Sequence, residues 1–251
     1  MILFLTYHKV VNSADDCDED FYTVTADDLV AQIQATLAAG FTPLTFAELK
    51  SARTIEGEKF LLTFDDGTVD HHDIVLPILK KLGQYAVFFV PTAKLNRPGY
   101  LTEAQATEIA TAGQLIGCHS HEHKRLDTLS PAEIRTQLQT ACQELARITG
   151  QAPWIFAPPG GFINQQVRTT AQSLGLDIIR TMKWGSNRIP DFGALEAAPL
   201  NRHTTKAKFQ KILNGKQPHL LYISKQAAKA IVPLRAYERI RSWIFKVGRN
   251  N

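Results

Sequence analysis

Short apolar runs rich in Val, Ile and Phe alternate along this chain with longer segments of helical period, and that alternation limits the fold more than any other feature. Strand, crossover, strand is the pattern of βα units around a parallel sheet. The runs predict strands near Ile2 to Thr6, Phe60 to Phe64, Tyr85 to Val90, Gln114 to Cys118, Trp154 to Ala157, Asp177 to Thr181, Ala194 to Leu200 and Leu220 to Ile223. Eight short strands suffice for a barrel. Between them, Thr25 caps a predicted helix over Ala26 to Ala39 that ends at Gly40, and Ser130-Pro131 opens another that runs to Thr149 before Gly150. Two more are expected over Val69 to Leu82 and Thr102 to Ala112, the second ended by Gly113. Residues 9 to 24, acidic and polar, fit no element and are expected to form a surface loop.

The chain has 251 residues, 44% of them hydrophobic and 21% charged, which excludes disorder and collagen-like repeats. No run approaches the roughly eighteen consecutive apolar residues of a membrane span. The opening MILFLTYHKV meets His8 and Lys9 too early for a signal peptide, so a cytoplasmic location is expected. Cys17, Cys118 and Cys142 are odd in number and unrelated in spacing, which fits reduced thiols rather than a disulfide framework.

The net charge of +4 hides an asymmetry. Residues 206 to 251 hold 11 of the 28 Lys and Arg but only one acidic residue, Glu238, so the preceding part is net acidic. The simplest partition is a catalytic domain over residues 1 to 205 and a basic, mainly helical C-terminal extension over residues 206 to 251, packed on or beside it. From Pro233 to Val247, apolar residues recur at three- and four-residue steps among arginines. Such a helix docks on its own domain or makes peripheral contact with anionic membrane. No stacking platform or recognition motif accompanies the lysines, so nucleic acid is not expected as a partner.

The chemistry-bearing residues fall at the carboxyl ends of the predicted strands, the rim on which barrel enzymes assemble their sites. Phe60 to Phe64 runs into Asp65-Asp66-Gly67. Adjacent carboxylates at a strand end point different ways, so one can bind a cation while the other takes a proton. A helix cap and turn would use the same residues. The strand ending at Cys118 leads into His119-Ser120-His121-Glu122-His123, where His119 and His123, four apart, can share one face. Two imidazoles and a carboxylate make the donor set of a hydrolytic zinc site with one position open; His121 could stand in for one of the pair. Pro159, Gly160 and Gly161 form a loop that lets backbone N–H groups approach a ligand. Trp184 and the Leu200-Asn201-Arg202-His203 segment complete the rim, with His203 a candidate proton donor.

Taken together, TFDDG at Thr63 to Gly67, HSHEH at His119 to His123, FAPPGG at Phe156 to Gly161 and LNRH at Leu200 to His203 resemble the NodB-type polysaccharide deacetylases, carbohydrate esterase family 4. The resemblance, over roughly residues 1 to 205, implies an α/β fold, a distorted (β/α) barrel of about seven strands. It also implies metal-dependent removal of acetyl groups, most often N-acetyl, from a sugar in a polysaccharide, glycolipid or glycan precursor. Carried over by position, the base matches Asp65, the metal ligands Asp66, His119 and His123, the oxyanion loop the Gly160 region, and the histidine acid, loosely, His203. Zn2+ is the expected cofactor, with Co2+ or Ni2+ as alternatives. Ala157 departs from the pattern, because many members carry there an arginine that braces the catalytic aspartate. Arg180, Lys183 or Arg202 would have to take its place. The missing arginine motivates a second expectation, a catalytically impaired glycan-binding protein. A hydrolase of a non-sugar amide is a third.

Overall fold

A computed structural model describes residues 1–16, 20–51 and 55–215. Seven strands form the centre: β1 (Ile2–Tyr7), β2 (Lys59–Phe64), β3 (Ala86–Val90), β4 (Leu115–Cys118), β5 (Ile155–Phe156), β6 (Ile178–Trp184) and β7 (Leu195–Pro199). Each pairs in parallel with the next, and β7 pairs with β1, so the seven close into a barrel, while a two-residue strand, Thr42–Pro43, pairs in parallel with the start of β2. The strand expected at Leu220 to Ile223 and the stripe from Pro233 to Val247 lie outside the described residues.

Period-2 alternation sorts the strand residues into two clusters. Leu3, Leu5, Phe60, Leu62, Phe64, Phe88 and Ile179 pack with Leu29, Ile33, Leu79, Ile109, Leu138 and Leu145 of the surrounding helices. Residues of the opposite parity, among them Ile2, Phe4, Leu61, Val87, Phe89, Ile155, Ala157, Ile178 and Leu195, pack on one another and fill the lumen. Gly117 makes room there, since a Cβ on it would lie 2.6 Å from the Phe89 ring.

Helices cover the barrel: α1 (Ala26–Ala38), α2 (Phe46–Ser51), α3 (Leu76–Leu82), α4 (Glu103–Thr111), α5 (Pro131–Thr149), α6 (Gln165–Ser173) and α7 (Lys206–Leu213). Thr25 caps α1 through its side chain, while Thr102 with Gln105 and Ser130 with Glu133 form reciprocal capping boxes on α4 and α5. The span expected to be helical from Val69 starts instead at His71, with a π-helical turn over His71–Val75 before α3. At the two ends of the segment expected as a loop over residues 9 to 24, Val10–Val11 pairs in parallel with Val24–Thr25.

The boundary expected at residue 205 also shifts. Phe209, Ile212 and Leu213 of α7 are buried in the outer core, and the first compact unit runs from Met1 to Gly215. Charge dominates the composition there, but three apolar residues on one face suffice to dock a two-turn helix. Among the described residues, no helix is long and apolar enough to cross a membrane.

Candidate metal centre

His8, Asp65, His119 and Ala157 stand two residues past the last inward-facing positions of their strands, and Arg180, within β6, joins them in the uppermost layer of the lumen. Asp65 is buried, and its N–H donates to the Tyr7 carbonyl at 3.0 Å, which joins the ends of β1 and β2. Asp66 adopts a left-handed conformation, φ 78°, which few non-glycine residues do. The two carboxylates therefore diverge, Asp65 into the lumen and Asp66 toward the ligand loop after β4.

In that loop His119 is buried, and its Nδ1 lies 2.6 Å from the Ala157 carbonyl. A carbonyl only accepts, so the proton sits on Nδ1 and Nε2 presents its lone pair. Nε2 is 3.3 Å from Asp66 Oδ1, and His123 Nε2 is 2.9 Å from the same oxygen. Ligand atoms of the three residues lie within 4.8 Å of one another, the one such trio among the described residues. Fixing the imidazole tautomer through a backbone carbonyl is how metal-binding histidines are commonly oriented. The N, N, O donor set, gathered in one place with its tautomer set, fits a divalent cation.

The loop itself is strained, with Ser120 and His123 at φ 63° and 60°. Thr92 and α5 hold it. His121 turns away from the trio, its Nδ1 2.8 Å from Thr92 Oγ1 and 3.3 Å from Glu144 Oε2. Gln137 receives the Glu122 N–H at 2.9 Å and donates back to the Glu122 carboxylate at 2.5 Å.

Electrostatics separate the two aspartates in cause but not in sign. Burial opposes the ionisation of Asp65, but the Arg180 guanidinium, with His8 and His119, overcomes it and holds the carboxyl below its ordinary value. Burial likewise opposes the ionisation of Asp66, and the adjacent imidazoles of His119 and His123 bring its carboxyl well below the usual carboxylate range.

Arg180 occupies the role left open at Ala157. Fully buried on β6, it donates Nη2 to Asp65 Oδ1, and its guanidinium lies 4.9 Å from the centre of the Phe89 ring. The other cations face elsewhere. Lys183 pairs with Glu196 at 2.7 Å, and Arg202 donates to the Asp20 carbonyl. Trp184 packs, half-buried, against the outer core.

Pro159, Gly160 and Gly161 form a tight turn in which Gly161 N–H donates to the Pro158 carbonyl at 2.8 Å. Gly161, at φ 75°, must be glycine, since a Cβ would lie 2.3 Å from Met182 Cβ and 2.4 Å from Met182 N. His203 is exposed on the turn after β7, its ring 5.7 Å from that of Phe21. The histidine that faces Asp65 is His8, with Nε2 3.9 Å from Oδ2 and its ring stacked on Tyr22 at 4.4 Å. Sequence reasoning passed over His8. The signal was available, because it lies two residues beyond inward-facing Thr6 on the same strand period.

The sequence model of the family described as polysaccharide deacetylase matches residues 52–179, which include Asp65, Asp66, His119, His123 and the Pro159–Gly161 turn. The chain belongs to the polysaccharide deacetylase family. Chitin deacetylase 1 of Saccharomyces cerevisiae is 30% identical over 154 residues, 60% of this chain and 49% of the yeast protein. Peptidoglycan-N-acetylglucosamine deacetylase PgdA of Listeria monocytogenes is 33% identical over 135 residues, 53% of this chain and 27% of that protein. The matches thus span less than half the length of these curated relatives. Among solved structures, the Streptococcus pyogenes deacetylase PplD in complex with acetate shares the fold, with a TM-score of 0.74 and 23% identity over 86% of this chain and 98% of that one. His8 and α7 fall outside the segment by which the deacetylase family is matched.

Proposed function

We propose that this deacetylase-family protein hydrolyses the N-acetyl group of a sugar in a polysaccharide, glycolipid or glycan precursor. The observation that carries the proposal is the convergence of Asp66, His119 and His123 on one point with the Asp65 carboxylate beside it. Zn2+ suits two imidazoles and one carboxylate, with Co2+ or Ni2+ as substitutes. When bound, such a cation supplies Lewis acidity toward an acyl oxygen and lowers the pKa of water toward about 7. Asp65, ionised at neutral pH and anchored by Arg180, takes a proton from the attacking water. The water oxygen bonds to the acetyl carbon as negative charge gathers on the carbonyl oxygen. Gly161 N–H is already committed to Pro158, so that of Gly160 serves the oxyanion, a preorganised donor of about 3 kcal/mol in comparable sites. As the C–N bond breaks, the imidazolium of His8 protonates the departing nitrogen, and acetate and a free amino sugar result. His8 takes this role in place of His203 because it is the imidazole beside Asp65.

The curated relatives named above act, by their names, on chitin and on peptidoglycan N-acetylglucosamine, which supports an N-acetylated sugar as the substrate class here. The absence of an arginine at Ala157 no longer argues for a silent glycan-binding module, because Arg180 supplies the guanidinium. A cytoplasmic location belongs to the same proposal, as does peripheral contact of the basic residues 206 to 251 with anionic membrane, and the charge asymmetry supports the membrane contact alone. Sedimentation with anionic vesicles at low salt tests the membrane contact. Acetate release from N-acetylated sugars and glycolipids, before and after chelation, tests the activity. Turnover that chelation removes and Zn2+ restores is expected; bound metal with no turnover on any acetylated glycan would overturn the activity.

A further inference from the structure

The segment that supplies Asp65 and Asp66 continues through Gly67-Thr68-Val69 to Asp70 and His71, and these two fold back onto the end of β1. Asp70 Oδ2 accepts the N–H of Val10 at 2.8 Å. His71 Nε2 lies 2.6 Å from the carbonyl oxygen of His8, and since a carbonyl only accepts, Nε2 carries the proton. Both residues are buried, His71 completely. The peptide groups on either side of Lys9 are thus held at both ends by one short stretch of chain.

His71 is an expensive residue for a packing role. Its ring sits 5.6 Å from those of Phe64 and Phe88, a site that an apolar side chain would fill. Its Nδ1 is buried with no partner among the described residues, and an unsatisfied buried acceptor carries a desolvation cost that an apolar residue avoids. It also opens the π-helical turn His71–Val75, a rare conformation that concentrates at functional sites. What the imidazole supplies and an apolar group cannot is the N–H on the His8 carbonyl.

We propose that Asp70 and His71 are positioning residues that hold the His8–Val10 backbone so that the His8 ring stands beside Asp65. This rests on His8 as the proton donor of the proposed reaction. One loop then fixes the base directly and the acid through two hydrogen bonds, and the Tyr22 ring closes on His8 from the other side.

The test compares His71→Phe with His71→Gln, whose amide N–H can reach the same carbonyl, and Asp70→Ala with Asp70→Asn, which keeps an acceptor. Each is assayed on an N-acetyl sugar and on an aryl acetate, whose phenolate leaves without protonation. His71→Phe and Asp70→Ala are expected to lower kcat on the amide by about tenfold or more, with KM and aryl acetate turnover near wild type. His71→Gln and Asp70→Asn should recover most of the loss. If His71→Phe does not fold, the Asp70 pair carries the comparison. Amide kcat unchanged in the Phe and Ala variants, or both substrates falling together without recovery in the Gln and Asn variants, would overturn the proposal. Should the wild-type protein release acetate from no substrate, the proposed reaction fails, and crystal structures of His71→Phe and Asp70→Ala decide the positioning: a displaced His8 supports it and an unmoved His8 overturns it.

Discussion

Arg180, fully buried on β6, donates to the Asp65 carboxylate at the end of β2, across the lumen of the barrel. The guanidinium that many family members place at the position of Ala157 comes here from the neighbouring strand. β6 carries Ile178 into the lumen, and two residues on the same face point Arg180 at the rim. Ala157, buried and small, follows directly on the Phe156–Ile179 pair and so lies level with Arg180 on the adjoining strand.

Replacing Arg180→Met leaves a buried carboxylate without its counter-charge, and a loss of about 3–5 kcal/mol in unfolding free energy is expected at neutral pH. Asp65 is held below the ordinary carboxyl value of 3.8. Its ionic contribution is therefore present above 3.8 and disappears as pH falls through the lower folded value. In Arg180→Met burial acts unopposed by the guanidinium, so the acid limb of kcat/KM moves to higher pH. Denaturant titration and a pH–rate profile check both statements.

Gly161→Ala is expected to cost more than about 1 kcal/mol, because the new Cβ meets Met182 backbone and Cβ at a φ that L-residues avoid. The turn that presents Gly160 N–H would shift with it. Thermal unfolding and acetate release should fall together, whereas Gly160→Ala, strained likewise at φ 68° but meeting only the movable Phe162 ring at 3.0 Å, should cost less.

His8 and His203 are separable by leaving group. His8→Ala is expected to lower turnover of an N-acetyl sugar by about 10²–10⁴ while sparing an aryl acetate. His203→Ala, exposed and set against Phe21, should change the amide rate by less than about tenfold. The reverse order would return the acid role to His203.

Most of the barrel was legible because strands of a closed parallel sheet read as short apolar runs. What escaped was short or disguised. Thr42–Pro43 is too brief for any period, α6 buries only Val167 and Ala171, and the apolar face of α7 is masked by lysines. The ligands were legible because spacing and residue type narrowed the donor set to two imidazoles and a carboxylate, with His121 a possible substitute, and the family resemblance assigned Asp66, His119 and His123. The cation beside Asp65 was not decidable among Arg180, Lys183 and Arg202, since strand parity selects Arg180 only once the lumen face of β6 is known. His8 was missed for a related reason: its place two residues beyond Thr6 was readable, but its approach to Asp65 comes from the closure of β1 onto β2.

Metal stoichiometry measured alongside acetate release tests the central claim most directly. The dialysed wild-type protein should bind one equivalent of Zn2+, with activity returning in proportion to occupancy, and Asp66→Ala, His119→Ala and His123→Ala should each lose both. Stoichiometric zinc in the absence of those three side chains, or acetate release indifferent to chelation, would contradict it.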